Sequence, residues 1–302
     1  MCPPPERPQG EVCFVMLTRV APIMLTALFI AACGSSQHAQ TDSTGAESSA
    51  APITSAPNEG GEPEGTGQMI VRYEDATSKE AISGKKIYQD HKMLEDMADG
   101  VNYLFDLPQD IPIVGKQCDQ VNAFWNTEER QMEMCYEFPD DLRSEFAQTD
   151  DPDPLKLAMD ATYGVFFHEM GHMLIDAYDL PVTGREEDVA DQVAAFVLLQ
   201  PGEDEQLDGE SVQVLLTMAD LFQIWANENG QPDESMFADE HSPDQVRVYN
   251  LLCWAFGADP EGNSEIVDAG LLPEARAVRC EDEFDHINRA WVTLLEPHMK
   301  QH

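Results

Sequence analysis

The chain has 302 residues, enough for one large domain or two small ones and too many for a peptide hormone or toxin. Its 57 acidic residues against 17 basic ones leave a net charge of −40, a field that repels phosphate backbones and anionic headgroups and argues against nucleic acid as a partner. A hydrophobic content of 42% and an aromatic content of 8% are those of a protein with a core, so the acidity reads as a solubility or saline-habitat trait rather than a pointer to a substrate.

Residues Met16 to Ala32 combine Arg19 with an apolar run, Val20 to Ile30, broken only by Thr26 and too short to cross a bilayer with ease. That is the layout of a secretory signal. The run ends in Ile30-Ala31-Ala32-Cys33, which resembles the bacterial lipoprotein processing box, where the cysteine becomes the lipidated first residue of the mature chain. An ordinary signal peptide with an incidental cysteine is the alternative. Met16 is the expected start, because Cys2 to Val15 carries two Glu, one Arg and three consecutive prolines, unlike a basic signal start. Gly34 to Gln68 has Ile53 as its only large apolar side chain and cannot bury enough surface to offset chain entropy. The expected organisation is therefore a signal segment 1–33, a flexible tether 34–68 and an exported domain 69–302. Cys33 would hold that domain at the membrane on the oxidising side of the cell envelope, whether periplasmic or cell-surface.

Within the domain, Met69 to Tyr73 reads as a strand, and Leu94, Met97, Ala98, Val101 and Phe105 have the spacing of an amphipathic helix. Asp110 to Val114 is a second candidate strand. Asn122 to Trp125 and Gln131 to Phe138 form a hairpin pattern in which Met132, Met134 and Tyr136 alternate with Glu133, Cys135 and Glu137. From Pro154 onward the pattern is helical, with an apolar stripe at Val212, Leu215, Leu216, Ala219 and Phe222 and further helices over Val246 to Phe256 and Glu283 to Leu295. Strands first and helices afterwards argue for an α+β domain. Its four cysteines permit three pairings, and Cys118 with Cys135 and Cys253 with Cys280 close the shortest loops, in preference to the two crossed alternatives.

His168-Glu169-Met170-Gly171-His172 is an H-E-x-x-H string. On a helix, residues four apart share a face, so His168 and His172 can offer their imidazoles to one metal ion while Glu169 projects beside it as a base for water. The flanks, Tyr163 to Phe167 and Met173 to Ile175, are uncharged and proline-free, as a buried helix carrying a polar cluster requires. A catalytic zinc takes a third protein ligand. After Pro181, Thr183-Gly184-Arg185-Glu186 has capping-box form, and the helix it opens places Glu187 and Asp191 four apart on one face. Glu187 is the expected third ligand, with Glu186 and Asp188 as rivals. Asp191 is placed to accept the second ring proton of a liganding histidine.

H-E-x-x-H followed by E-x-x-x-D resembles the gluzincin class of zinc peptidases, the thermolysin-like enzymes, and the chain is similar to a group of small bacterial metallopeptidases of unassigned substrate. Asn122-Ala123-Phe124-Trp125-Asn126 is similar to the edge-strand segment with which such enzymes pair an extended peptide. The resemblance implies a zincin-like fold: an N-terminal, mainly antiparallel sheet with helices, then the active-site helix, then a helical C-terminal part. It also implies that Asn122 and the Ala123 backbone bind the substrate main chain. A histidine or tyrosine from the helical half would hydrogen-bond the tetrahedral oxyanion, and His241 is the candidate, with Tyr249 and then Tyr178 behind it; Asp176 is a support or merely faces solvent.

The expected activity is that of a membrane-anchored peptidase with one Zn2+ per chain, acting on a peptide or protein substrate through a metal-activated water and Glu169 as general base. A metal-dependent amidase of cell-wall peptides shares the site with a different cleft. A binding or assembly lipoprotein with structural zinc is the non-catalytic alternative, against which the intact Glu169 argues.

Overall fold

A computed structural model describes residues 67–202 and 205–301; the signal segment, Met16, Cys33 and most of the tether lie outside the described residues. No helix among the described residues is long and apolar enough to cross a membrane. The elements run β1 (Met69–Tyr73), α1 (Lys79–Asp90), α2 (Met93–Leu104), β2 (Ile111–Lys116), β3 (Ala123–Asn126), β4 (Gln131–Cys135) and α3 (Glu137–Phe146). They continue with α4 (Pro154–Tyr178), α5 (Glu186–Leu198), α6 (Gly209–Asn229), α7 (Glu234–Ala238) and α8 (Asp244–Ala258). The last are α9 (Glu265–Asp268), α10 (Glu274–Ala277), α11 (Cys280–Leu295) and a closing 3-10 turn. Among the described residues one four-stranded sheet, with two helices between its first two strands and the remaining helices after it, makes the domain α+β.

The expectation of a mainly antiparallel sheet is corrected. In the order β1-β2-β4-β3, β1 pairs with β2 and β2 with β4 in parallel, and only β3 and β4 run antiparallel. The connections explain this: β1 reaches β2 through two helices, a crossover long enough to restart in the same direction, whereas β3 and β4 are joined by a tight turn that reverses the chain. In that turn Asn126 Oδ1 accepts from the backbone N–H groups of Glu128 and Glu129, at 3.1 and 2.9 Å. β3 is thereby left as an edge strand. Its neighbour β4 is buried on both faces, and Glu133 is tolerated there because Lys116, Asn126 and Gln131 all reach its carboxylate.

The long helix α4 lies at the centre and packs against α3, α5, α6, β3 and β4. Asp153 caps it by accepting from the Lys156 N–H, and Pro154 takes the first position, where no N–H is needed. Buried residues such as Ala161, Phe166, Met170 and Leu174 lie around much of its circumference, which is why no single apolar stripe marks it. Asp179 in the left-handed region ends the helix, and Pro181 prevents its continuation.

The helix α5 does not begin with the expected capping box. Gly184 turns the chain at φ 100°, Arg185 becomes the N-cap without a side-chain cap bond, and the first turn relies on Glu186, Glu187 and Asp188 against the helix dipole. Close approach of α5 to α4 is set by Gly171: a Cβ there would stand 2.9 Å from the Ala190 Cα and 3.1 Å from its Cβ. Gly171→Ala should therefore push the two helices apart, costing about 1–3 kcal/mol of stability and displacing Glu187 from the histidines. Thermal unfolding and metal content measured on the same variant check this; wild-type values of both would refute it.

Both disulfides are present in the expected pairing, Cys118–Cys135 and Cys253–Cys280. The first pins the loop after β2 to the end of β4, where the Glu137 carboxylate also accepts from the Cys118 and Asp119 N–H groups. The second ties α8 to the start of α11. At the other end of the domain the chain is already paired at Gly67, whose N–H reaches the Leu107 carbonyl, and the C-terminal segment returns to α2 through Lys300 and Leu104.

Candidate metal centre

The two histidines of α4 sit one turn apart with ring centroids 4.9 Å from each other and nearly perpendicular planes. Their Nε2 atoms are 3.3 Å apart, and α5 delivers the Glu187 Oε2 atom to 3.1 Å from His168 Nε2 and 3.4 Å from His172 Nε2. Three ligand atoms about 2.0–2.2 Å from one tetrahedral ion stand roughly 3.3–3.5 Å from one another, so this triangle already has the right size. Glu187 Oε2 is itself buried without an aligned hydrogen bond. A buried carboxylate oxygen is costly unless positive charge meets it, and with the imidazole Nε2 atoms unprotonated a cation at the centre of the triangle would supply that charge. The donor set of two imidazoles and one carboxylate thus fits a metal ion.

Each imidazole is held from behind. His168 Nδ1 lies 2.8 Å from Asp191 Oδ1, and His172 Nδ1 lies 2.9 Å from Glu186 Oε1. These contacts favour Nδ1–H tautomers and turn both Nε2 atoms toward Glu187. Burial would lower the His168 pKa, but the adjacent Asp191 and Glu187 carboxylates outweigh it and leave it raised. The same opposition at His172, with Glu187 and Glu186 as the winning partners, pushes it up to about 9. Burial would raise Glu187, yet His168, His172 and His241 around it hold it well below the usual carboxylate range.

Glu186 therefore stands behind an imidazole rather than in the triangle, and Asp188 Oδ2 accepts from the Ser242 hydroxyl at 3.0 Å. Asp191 is the deepest acid of the cluster, 2% exposed. Burial opposes its ionisation, but Arg247 from α8 forks onto it, Nε to Oδ2 at 2.8 Å and Nη2 to Oδ1 at 2.7 Å, and with His168 holds its pKa low. The guanidinium in turn lies 3.8 Å over the Phe222 ring. Arg247 is the residue that motif reading passed over. Its signal was available: spaced with Leu251 and Trp254 on one helical stripe, it is a cation on an apolar face.

Asp191→Asn should loosen metal binding by about 10–100-fold, because the amide cannot accept and stabilise in the same way and leaves Arg247 buried without its counter-charge. Metal-buffer titration of the purified variant measures this; an unchanged affinity would remove Asp191 and Arg247 from the centre.

Glu169 lies on the same helix with its Oε1 4.0 Å from His168 Nε2. Its Oε2 accepts from the Trp125 backbone N–H at 2.9 Å. Burial raises its pKa, and the two histidines and the Trp125 N–H offset this only in part, so its proton affinity is above that of an ordinary carboxylate. Asp176, two turns further along, accepts both from Trp125 Nε1 at 3.1 Å and from Arg130 at 2.9 Å, fastening the hairpin to α4.

The Trp125 contact also fixes which way the edge strand faces. Asn122 uses its carbonyl to accept from the Cys135 N–H within the sheet, so by alternation the backbone groups of Ala123 and Trp125 point away from β4. That outer edge faces Glu169. Asn122 is exposed just before the strand, and Ala123 is its buried first residue.

His241 precedes α8 and brings its Nε2 to 3.0 Å from Glu187 Oε2, while its Nδ1 lies 3.1 Å from Asp239. Its side chain is 45% exposed, and it forms with Glu187 and Glu240 the other metal-compatible group among the described residues, at the rim of the same centre. Tyr178 is drawn away: it stacks on His298 and donates to the Asp106 carbonyl. Tyr249 lies further along α8 and is exposed.

Residues 73–295 match a protein-family model whose description is "Putative metallopeptidase". No curated protein and no solved structure matches the chain.

Proposed function

The chain belongs to the family described as "Putative metallopeptidase", and from that premise we propose that it is a zinc-dependent peptidase of gluzincin type, anchored in the bacterial cell envelope through a lipidated Cys33. The observation that carries the reading is the buried Glu187 Oε2, without an aligned hydrogen bond and 3.1 and 3.4 Å from the Nε2 atoms of His168 and His172, beside a glutamate held by the edge strand. His168, His172 and Glu187 would hold one zinc ion. Bound there, zinc supplies a Lewis acid that polarises a carbonyl and brings the pKa of water toward about 7.

The rest falls to the chain's own residues. Glu169 Oε1, not engaged by the Trp125 N–H, takes the proton of the attacking water and returns it to the leaving amine. Its raised proton affinity suits both steps. The outward backbone groups of Ala123, with the Asn122 side chain beside them, hold an extended peptide along the edge of β3. His241 donates from Nε2 to the oxyanion of the tetrahedral adduct, a contribution commonly about 3 kcal/mol for one such donor. Glu187 beside Nε2 is the main cause of the raised His241 pKa, against the opposing effect of burial, and Asp239 at Nδ1 adds to it. A zincin-like arrangement is supported by the order of parts: sheet with an antiparallel edge, motif helix, then the acidic helix that completes the site. Export is supported by the two disulfides, which persist in oxidising compartments.

The test is cleavage of an unbiased peptide mixture by the full chain, before and after chelation and after zinc is returned. Cleavage that disappears and reappears with zinc is expected. An intact mixture at full zinc occupancy would favour the binding lipoprotein, and release of peptides from cell-wall material alone would favour the amidase. Mass spectrometry of Cys33 decides the anchor: an unmodified thiol or an intact signal would refute it.

A further inference from the structure

The segment that carries His241 is held to the candidate centre by polar ties rather than by packing. The helix α7 within it has no buried residue, and Phe237 is 58% exposed. Between this segment and the facing ends of α6 and α8 lies a cleft of about 470 Å³, bordered by Ala226, Gly230, Met236, Phe237, Pro243 and Val246. Apolar contact does not seat the segment closely there.

Charge makes the placement harder. Residues 233–242 hold Asp233, Glu234, Asp239 and Glu240, and the opposing stretch 183–191 holds Glu186, Glu187, Asp188 and Asp191. Arg185 is the only Lys or Arg in the two stretches. Its guanidinium spans them: Nη1 donates to the His241 carbonyl and Nη2 to the Phe237 carbonyl, both at 3.1 Å. Further along both stretches, the Ser242 hydroxyl donates to Asp188 Oδ2 at 3.0 Å. Within the segment, Asp239 Oδ1 accepts from the His241 N–H at 2.9 Å and lies against Nδ1 of the ring.

We propose that Arg185 is a positioning residue, whose forked guanidinium clamps the carbonyls of Phe237 and His241 to the start of α5 and so keeps the His241 imidazole at the Glu187 carboxylate. It touches neither the proposed metal nor the reacting atoms. A guanidinium can grip two carbonyls at once and offset two acidic segments, whereas an ammonium supplies the charge with a less fixed geometry. The catalytic consequence rests on the proposed role of His241; the clamp itself does not.

Three full-length variants separate the two: Arg185→Ala, Arg185→Lys and Arg185→Ala combined with His241→Ala, each loaded with zinc chloride. Hydrogen exchange of the amides at 237–242 and the His241 ring resonance report the segment directly. A fluorescence-quenched peptide mixture reports turnover. In Arg185→Ala we expect unchanged zinc content, exchange at 237–242 faster by about tenfold, and kcat lower by about tenfold with KM little altered. Lysine should restore part of both. In the absence of His241, removal of Arg185 should cost nothing more. Unchanged exchange and an unshifted His241 resonance in Arg185→Ala would overturn the clamp whatever kcat does. Faster exchange with wild-type kcat would support the clamp and overturn the catalytic reading of His241.

Discussion

Glu169→Gln is expected to leave zinc content near one ion per chain and to lower turnover by about two or more orders of magnitude. The amide keeps the size of the carboxylate, and its oxygen can still accept from the Trp125 N–H, so the edge strand should stay where it is. What is lost is a group that takes up a proton. Metal analysis, peptide cleavage and hydrogen exchange at Trp125 together make the result specific: a variant with full metal, an ordered strand and wild-type turnover would sink the mechanism proposed for Glu169.

Glu187→Ala attacks the other half of the centre and should fail differently. Removing the oxygen that lies 3.1 and 3.4 Å from the two Nε2 atoms leaves two imidazoles to hold the ion. Metal affinity should fall by at least about a hundredfold, more than for a residue that only supports a ligand, and activity should fall with it. Wild-type protein should also gain thermal stability when zinc is added, and this variant should not. As folded, neither neighbour stands in the triangle: Glu186 faces His172 Nδ1 and Asp188 Oδ2 accepts from Ser242. Full zinc retention in Glu187→Ala would nevertheless transfer the ligand role to one of them, and would remove Glu187 from the proposal.

Sequence alone determined the parts whose rules are local. A period of two marked β3 and β4, although β4 ends at Cys135 and the expected strand residues Glu137 and Phe138 open α3 instead; a period of 3.6 marked α2 and α6, and loop length selected the two disulfide pairings. The spacings 168–172 and 187–191 placed two pairs of side chains each on one helical face, because a helix returns to the same face after four residues. Decisions that depend on what lies beside a segment were made only by the tertiary structure. Strand direction is one: nothing within β1 or β2 distinguishes a parallel neighbour from an antiparallel one, and the crossover through α1 and α2 settled it. Helix approach is another, since Gly171 reads as an unremarked position in the motif until Ala190 is found against it. The partners of buried charges are the third. Arg247 meets Asp191 from 56 residues away, a spacing no periodicity encodes. Such pairings exist because folding removes these groups from water and each must then find its counterpart wherever the packing has brought it.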